Sequence, residues 1–314
     1  ITASNTKTDI KTKAPNDVHI GENSVYIYSK APQSLGGKIE TESKLVTDGS
    51  NSYGIYSSQD FINRGNMDLK SGTGNIGIYS SQGIGQNYGT IEVGPSNVAT
   101  GKYGVGMATG SGTIENHGNI NVTENNSVGM YASGSSAKAI NRGTINLKGN
   151  DTVGMYIDNH ATGENYGTIQ TTPTASGTGI KGVVTKNGGI IKNYGTINIV
   201  GGVGVYNEAA SEYQVQGTNT STTASSVGTG VNRTVAEKSI TKVPAHPSPV
   251  SIPIPAVQVE PLIDDGNVIL PQVPGRNLPG DNHNYVINDS SVEMYVDTSG
   301  INYTNPIQGL SNLS

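Results

Sequence analysis

The chain has 314 residues, of which 14% are charged, 33% are hydrophobic and 43 are glycine. This composition excludes a helical bundle, which needs Leu, Ala, Glu and Lys at a period of about 3.6 residues. The net charge of −5 does not provide the basic surface that binds nucleic acid. The absence of cysteine excludes disulfides and thiolate chemistry.

Residues 1–24 are polar and predict an N-terminal lead-in. Residues 25–206 contain a repeat of about 25 residues that is built from two motifs. The first motif is an apolar residue, Gly, an apolar residue and usually Tyr, with copies centred on Gly54, Gly77, Gly104, Gly129, Gly154, Gly179 and Gly204. The second is Asn-x-Gly-Thr/Asn-Ile or Met, with copies that begin at Asn63, Asn87, Asn116, Asn141, Asn165 and Asn193.

Each motif predicts a short strand, because polar and apolar residues alternate, as in Thr144–Leu147. Stacking of equivalent strands aligns inward apolar columns, for example Met67, Ile91, Ile120, Ile145, Ile169 and Ile197. The sequence therefore predicts an all-β, parallel, right-handed β-helix solenoid of about seven coils. A leucine-rich repeat is disfavoured, since only Leu69 and Leu147 occur within residues 51–206.

The Asn column has a predicted structural role at a corner of each coil. A stacked Asn amide bonds its own turn and the Asn of the next coil, which satisfies groups outside the strand ladders. The glycine two residues later predicts a corner with positive φ.

The repeat fails after Tyr206. Residues 207–284 are first Ser/Thr-rich and then Pro-rich, with nine prolines from Pro244 to Pro279, which predicts an irregular insertion or strap. Residues 285–314 predict a return to β structure that continues into a missing C-terminal part, because Val292–Asp297 alternates as a half-exposed strand.

The search for chemistry finds one carboxylate pair. Asp68 and Glu92 occupy equivalent outward positions on adjacent coils, about 4.8 Å apart, which is near the spacing of a retaining glycosidase. The rest of that column is amide. His160 follows Asp158-Asn159 in an inter-strand loop, and His19, His246 and His283 have no partners at ligand spacing. We therefore expect no catalytic residue, no metal, no cofactor and no enzyme activity.

The remaining candidates are surface columns. One lies beside the Gly-centred motif, where the rings are expected to point outward, either reinforcing the sheet or binding sugars or proteins: Tyr56, Tyr79, Tyr131, Tyr156 and Tyr206. A second is a stripe of Arg, Tyr and His after each column Asn, from which the candidate binding residues are Tyr88, Arg142, Tyr166 and Tyr194.

The alternation of Asn-Tyr-Gly-Thr-Ile with Val-Gly-Met-Tyr resembles the passengers of fusobacterial type V autotransporter adhesins, the RadD-like outer-membrane proteins. Ile287–Tyr295 and Tyr303–Pro306 resemble a segment of the same family. The likeness covers residues 50–206 and 285–314. It implies a signal peptide and a C-terminal outer-membrane barrel, both of which we expect in other parts of a longer chain.

The resemblance implies a protein on the bacterial cell surface. Its partners would be host cell-surface receptors or glycans, other bacteria in coaggregation, and its own barrel. Two alternatives stay open: a polysaccharide-cleaving β-helix that uses Asp68 and Glu92, and a pure stalk whose binding site lies elsewhere.

Overall fold

The computed structural model describes residues 2–3, 9–208, 210–228, 263–264, 267–268 and 293–296. These residues form strands and, as the helical elements, two single 3-10 turns, Gln33–Leu35 and Val98–Thr100. In that part of the chain no helix has the length and apolar character needed to cross a bilayer.

In chain order the strands are β1 (Thr2–Ala3), β2 (Asp9–Thr12), β3 (Val18–Ile20), β4 (Val25–Ser29), β5 (Lys38–Thr41), β6 (Leu45–Thr47), β7 (Tyr53–Ser57), β8 (Asp60–Asn63), β9 (Met67–Asp68), β10 (Ile76–Ser80), β11 (Ile84–Asn87), β12 (Thr90–Val93), β13 (Val105–Thr109), β14 (Thr113–Asn116), β15 (Asn119–Val122), β16 (Val128–Ser133), β17 (Lys138–Asn141), β18 (Thr144–Leu147), β19 (Val153–Asp158), β20 (Thr162–Asn165), β21 (Thr168–Thr171), β22 (Lys181–Thr185), β23 (Ile190–Asn193), β24 (Thr196–Asn198), β25 (Val203–Glu208), β26 (Glu212–Val215), β27 (Thr218–Asn219), β28 (Thr223–Gly228), β29 (Ile263–Asp264), β30 (Asn267–Val268) and β31 (Glu293–Val296).

The strands build three parallel sheets that run along a solenoid. The first sheet has the order β1-β4-β7-β10-β13-β16-β19-β22-β25-β28. The second has the order β26-β23-β20-β17-β14-β11-β8-β5-β2-β31, and the third β27-β24-β21-β18-β15-β12-β9-β6-β3. Each coil contributes one strand to each sheet, so the predicted parallel β-solenoid is confirmed, with about eight turns rather than seven.

The additional coil arises because regular strands extend at both ends. β2 and β3 lie within the segment assigned from the sequence to the lead-in, and β26, β27 and β28 lie within residues 207–284. The predicted strap, Pro244–Pro279, lies outside the described residues apart from β29 and β30, which pair antiparallel. β31 falls within the predicted C-terminal strand and pairs parallel with β2, at the first coil.

The core fills the interior of the coils. The predicted inward column from Met67 to Ile197 is buried throughout, each residue at 1% exposure or less. Two copies of the Gly-centred motif were misaligned, however. Ile78 pairs with Met107, not Val105, and Lys181 pairs with Val203, so the true central glycines are Gly106 and Gly182.

The Asn column behaves as predicted. Each amide nitrogen donates to the amide oxygen of the Asn on the next coil, at 2.8–3.0 Å for the pairs Asn63–Asn87, Asn87–Asn116, Asn116–Asn141, Asn141–Asn165 and Asn165–Asn193. The predicted positive φ at the corner glycines is wrong. Glycine is required there by close approach instead: a Cβ on Gly143 would lie 2.0 Å from the carbonyl oxygen of Gly118.

We expect Asn141→Ala to lower the free energy of unfolding by about 1–3 kcal/mol, because it removes the acceptor of one Asn116 amide N–H and the donor to the buried Asn165 Oδ1. Thermal and denaturant unfolding measure the loss. The matched control is Asn146→Ala, which removes a half-buried outer amide that water replaces. Equal losses in the two variants would contradict a special role for the inner column.

Candidate functional site

The exposed stripe forms a stacked column, which we call the aromatic ladder: Arg64, Tyr88, His117, Arg142, Tyr166 and Tyr194. Each member follows the column Asn at the end of a second-sheet strand, so the side chain projects from the corner before the third sheet. Backbone hydrogen bonds hold the members in place. For example, the Tyr166 N–H donates to the backbone carbonyl of Asn141 at 2.7 Å. These backbone bonds to the coil before fix the spacing of the ladder.

Ladder members stack along the rod in two groups of three. The Arg64 guanidinium lies 5.0 Å from the ring centroid of Tyr88, which stacks on His117 at 4.5 Å and 8°. The Arg142 guanidinium lies 4.7 Å from the ring of Tyr166, which stacks on Tyr194 at 4.7 Å and 9°. Tyr88 and Tyr166 keep 43% exposure and Tyr194 keeps 37%. Because ring faces meet each other, the edges and polar atoms face solvent.

Acidic residues of the second sheet flank the ladder. Glu40 pairs with Arg64 at 2.7 Å and raises the pKa of that guanidinium by hydrogen bonding. Glu164 pairs with Lys138 at 2.9 Å and accepts a bond from the Tyr166 hydroxyl. Desolvation, followed by the Glu164 carboxylate, raises the pKa of Tyr166.

The Glu115 carboxylate likewise flanks His117, with its Oε2 at 3.2 Å from the imidazole Nε2. The binding residues predicted from the sequence do not include these acids or two ladder members, Arg64 and His117. Their position in the sequence could have identified two of the acids, because Glu115 and Glu164 each stand two residues before a ladder member.

The other predicted tyrosines lie on the outer side of the first sheet, in a cluster separate from the interior. We call this surface the tyrosine face; its buried members are Tyr53, Ile76, Tyr79, Tyr103, Val105, Ala108, Val128, Tyr131, Val153, Tyr156 and Val184. Tyr56 and Tyr206 pack at its edge and are half-buried. Tyr79, Tyr131 and Tyr156 are only 4%, 1% and 0% exposed, so an external partner does not reach them in this structure.

The carboxylate pair lies where the sequence placed it. Asp68 and Glu92 are register partners on β9 and β12. Asp68 lies 3.6 Å from the Lys70 ammonium, and Glu92 accepts a bond from the Asn121 amide at 2.6 Å. The same outward column continues along the rod as side-chain amides. The Asn146 amide donates to Asn121, and the Gln170 amide donates to Asn146. Among the residues that the structure describes, no three potential ligands cluster around a metal position.

One known family matches the chain over more than half of its length. The model of the family described as the BigA third pectate lyase-like domain matches residues 1–168. The chain belongs to this family. The match includes five of the six ladder members, Arg64 to Tyr166. No curated protein and no solved structure matches the chain. Membership of the BigA third pectate lyase-like family, together with the β-solenoid, fits a passenger-type, adhesin-like surface segment.

Alkaline titration will test the buried side of the tyrosine face. Burial raises the pKa of Tyr53 and Tyr56 above the ordinary value of about 10. Folding therefore favours the neutral phenols, and this stabilisation is complete below that pH and is lost as the pH rises above it. Tyrosinate absorbance and circular dichroism, followed together, should show that these two phenols ionise with loss of the fold.

The control for this titration is Tyr53→Phe. It removes an ionisable group whose buried hydroxyl has no hydrogen-bond partner, so it should preserve stability at neutral pH and move the alkaline transition upward. An unchanged transition in this variant would show that Tyr53 is not responsible.

Proposed function

We propose that the chain is a passenger segment of a bacterial cell-surface adhesin, related to the RadD-like type V autotransporters, which mediates or scaffolds attachment. Its partners in this proposal are host cell-surface receptors or glycans and other bacteria in coaggregation. A C-terminal barrel of the longer chain anchors it in the outer membrane. The observation that carries the proposal is the exposed aromatic ladder on a rigid solenoid of an adhesin-like family.

The chemistry of the ladder supports direct binding. Tyr provides a large contact area at low conformational cost, and both Tyr and Arg are enriched in interfaces. Stacking holds the rings before a partner arrives, which reduces the ordering cost of association. Within the described residues no carboxylate pairs with Arg142, so its N–H donors are available to a carboxylate or carbonyl of a partner.

Binding of the purified chain to host epithelial cells, to partner bacteria and to a glycan array tests this proposal. We expect saturable binding that falls about tenfold or more in the combined variant Tyr88→Ser, Tyr166→Ser and Tyr194→Ser, since each lost stacking residue removes roughly 0.5–1.5 kcal/mol of contact energy. Arg142→Lys, which keeps the charge but loses the planar donor group, should weaken binding less severely.

The matched control is Asn146→Ser with Gln170→Ser, which alters a half-buried outward column of the third sheet. Thermal unfolding should report folded protein in every variant. If all variants bind as well as the original chain, the adhesive surface lies elsewhere. If the folded chain does not bind at all, it serves as stalk.

The proposal also states that the chain binds rather than cleaves polysaccharide. Asp68 and Glu92 are engaged by Lys70 and Asn121, as in a surface polar column, which supports this part. Incubation with neutral and acidic polysaccharides should release no reducing ends, and Glu92→Gln should match the original chain. Release that Glu92→Gln abolishes would establish the enzyme alternative.

A further inference from the structure

The second coil departs from the repeat in its connection from the first sheet to the second. β4 ends at Ser29 and β5 begins at Lys38, so eight residues, 30–37, join them. The equivalent connections of the following coils, from β7–β8 to β22–β23, have only two to four residues. The additional length contains the 3-10 turn Gln33–Leu35, which ends at Gly36 with a φ of 67°. Loops that a rigid scaffold holds in place are frequent carriers of function.

This loop encloses a cleft of about 270 Å³ against the outer side of the second sheet, which we call the loop cleft. Strands β5, β8 and β11 form its other side, and its lining includes Gln33, Lys38, Asp60, Ile62, Ile84 and Gln86. The Gln33 amide donates to Asp60 Oδ1 at 3.3 Å, and the same oxygen accepts the Ile84 N–H at 2.8 Å. Asp60 therefore ties the loop to the strands beneath it.

The polar groups of the loop cleft keep bonding capacity for a ligand. Lys38 and Asp60 are register partners on β5 and β8. Within the described residues no ion pair or hydrogen bond engages the Lys38 ammonium or Asp60 Oδ2. Gln86 donates through its Nε2 to Glu115 at 3.0 Å, which leaves its Oε1 as a further acceptor. The cleft thus offers a strong donor beside two acceptors.

This combination matches a sugar ring better than other small ligands. Each ring hydroxyl both donates and accepts, so neighbouring hydroxyls bind an ammonium and a carboxylate together. Ile62 and Ile84 supply apolar surface, Ile84 at 40% exposure, on which the C–H face of a pyranose packs. A small anion would meet the Asp60 carboxylate, and an apolar group would leave the polar side chains unpaired. Ligand pockets span roughly 300–1,000 Å³, so a cleft at the small end of that range suits one or two rings.

We propose that the loop cleft binds one pyranose unit of a glycan, with Lys38 and Asp60 on neighbouring hydroxyls and the ring over Ile84. The site is separate from the aromatic ladder, and it does not rest on the adhesive role proposed for that ladder. The two surfaces share a strand, because Gln86 stands two residues before Tyr88. The next units of a longer glycan would therefore lie near the first ladder members.

Saturation-transfer difference NMR on the full chain tests the site, with glucose, galactose, mannose, N-acetylglucosamine and glucuronic acid as probes. At least one sugar should give a saturable signal and shift the backbone amide resonances of residues 30–38 and 84–86. Asp60→Asn keeps the acceptor for the Ile84 N–H but loses the carboxylate, so it should weaken binding about tenfold. Ile84→Trp should abolish binding, because the larger ring fills the cleft.

The matched control is Ile190→Trp. It places the same ring in the same outward column of the second sheet, four coils further along and away from the loop cleft. This variant should bind sugar as the original chain does. Tyr166→Ser with Tyr194→Ser should also keep sugar binding, so failure of the adhesive proposal and failure of this one are distinguishable.

Thermal unfolding should report folded protein in every variant. The proposal is overturned if none of the five sugars binds the original chain. It is also overturned if the shifted resonances lie away from the loop cleft, or if folded Asp60→Asn and Ile84→Trp both bind sugar as tightly as the original chain.

Discussion

The in-register stacking of parallel strands, at about 4.8 Å per coil, is the constraint on which the other features depend. It places each residue directly on its equivalent in the next coil, so a column is stable only if its residue type can bond or pack with itself. Asn satisfies this condition inside the corner, because its amide donates to one neighbour and accepts from the other. The four interior amides, Asn87 to Asn165, are therefore paired on both sides by their own column. At the ends of the column Asn63 Oδ1 has no partner among the described residues, and Asn193 donates to the Thr218 carbonyl.

The same spacing selects the residues outside the corner. Rings and guanidinium groups are planar and stack at 4.5–5.0 Å, close to the coil rise, so Arg, Tyr and His interchange along the ladder. Lys lacks a planar head and does not stack in this way. Stacking also determines what a partner meets, because the ring faces are occupied within the ladder. Ring edges and the Arg142 donors remain for the proposed recognition, whereas the Tyr166 hydroxyl already donates to Glu164.

Repetition explains how much of this was predictable. The coil period, the inward columns and the Asn column were readable because the same residue type recurs at the same position. The copies at Gly104 and Gly179 were misaligned because glycine alone marks that motif, and Gly104 and Gly106 lie two residues apart. Positive φ and close approach both demand glycine, so the sequence did not distinguish them. Alternation predicted which side Tyr131 faces, but its burial depends on what lies above the sheet.

These differences among the outer surfaces determine where a partner has access. The first sheet presents apolar columns that are buried, and the outward column of the third sheet is polar, with Glu92, Asn121 and Asn146 bonded to one another. The corner between the second and third sheets is left with exposed aromatic groups. Because equivalent rungs recur on six successive coils, the proposed adhesive function would let a linear or repetitive partner meet similar chemistry in several registers, so that weak contacts at single rungs combine into avidity. Under that proposal, adhesion would come from the length of the repeated surface rather than from one pocket.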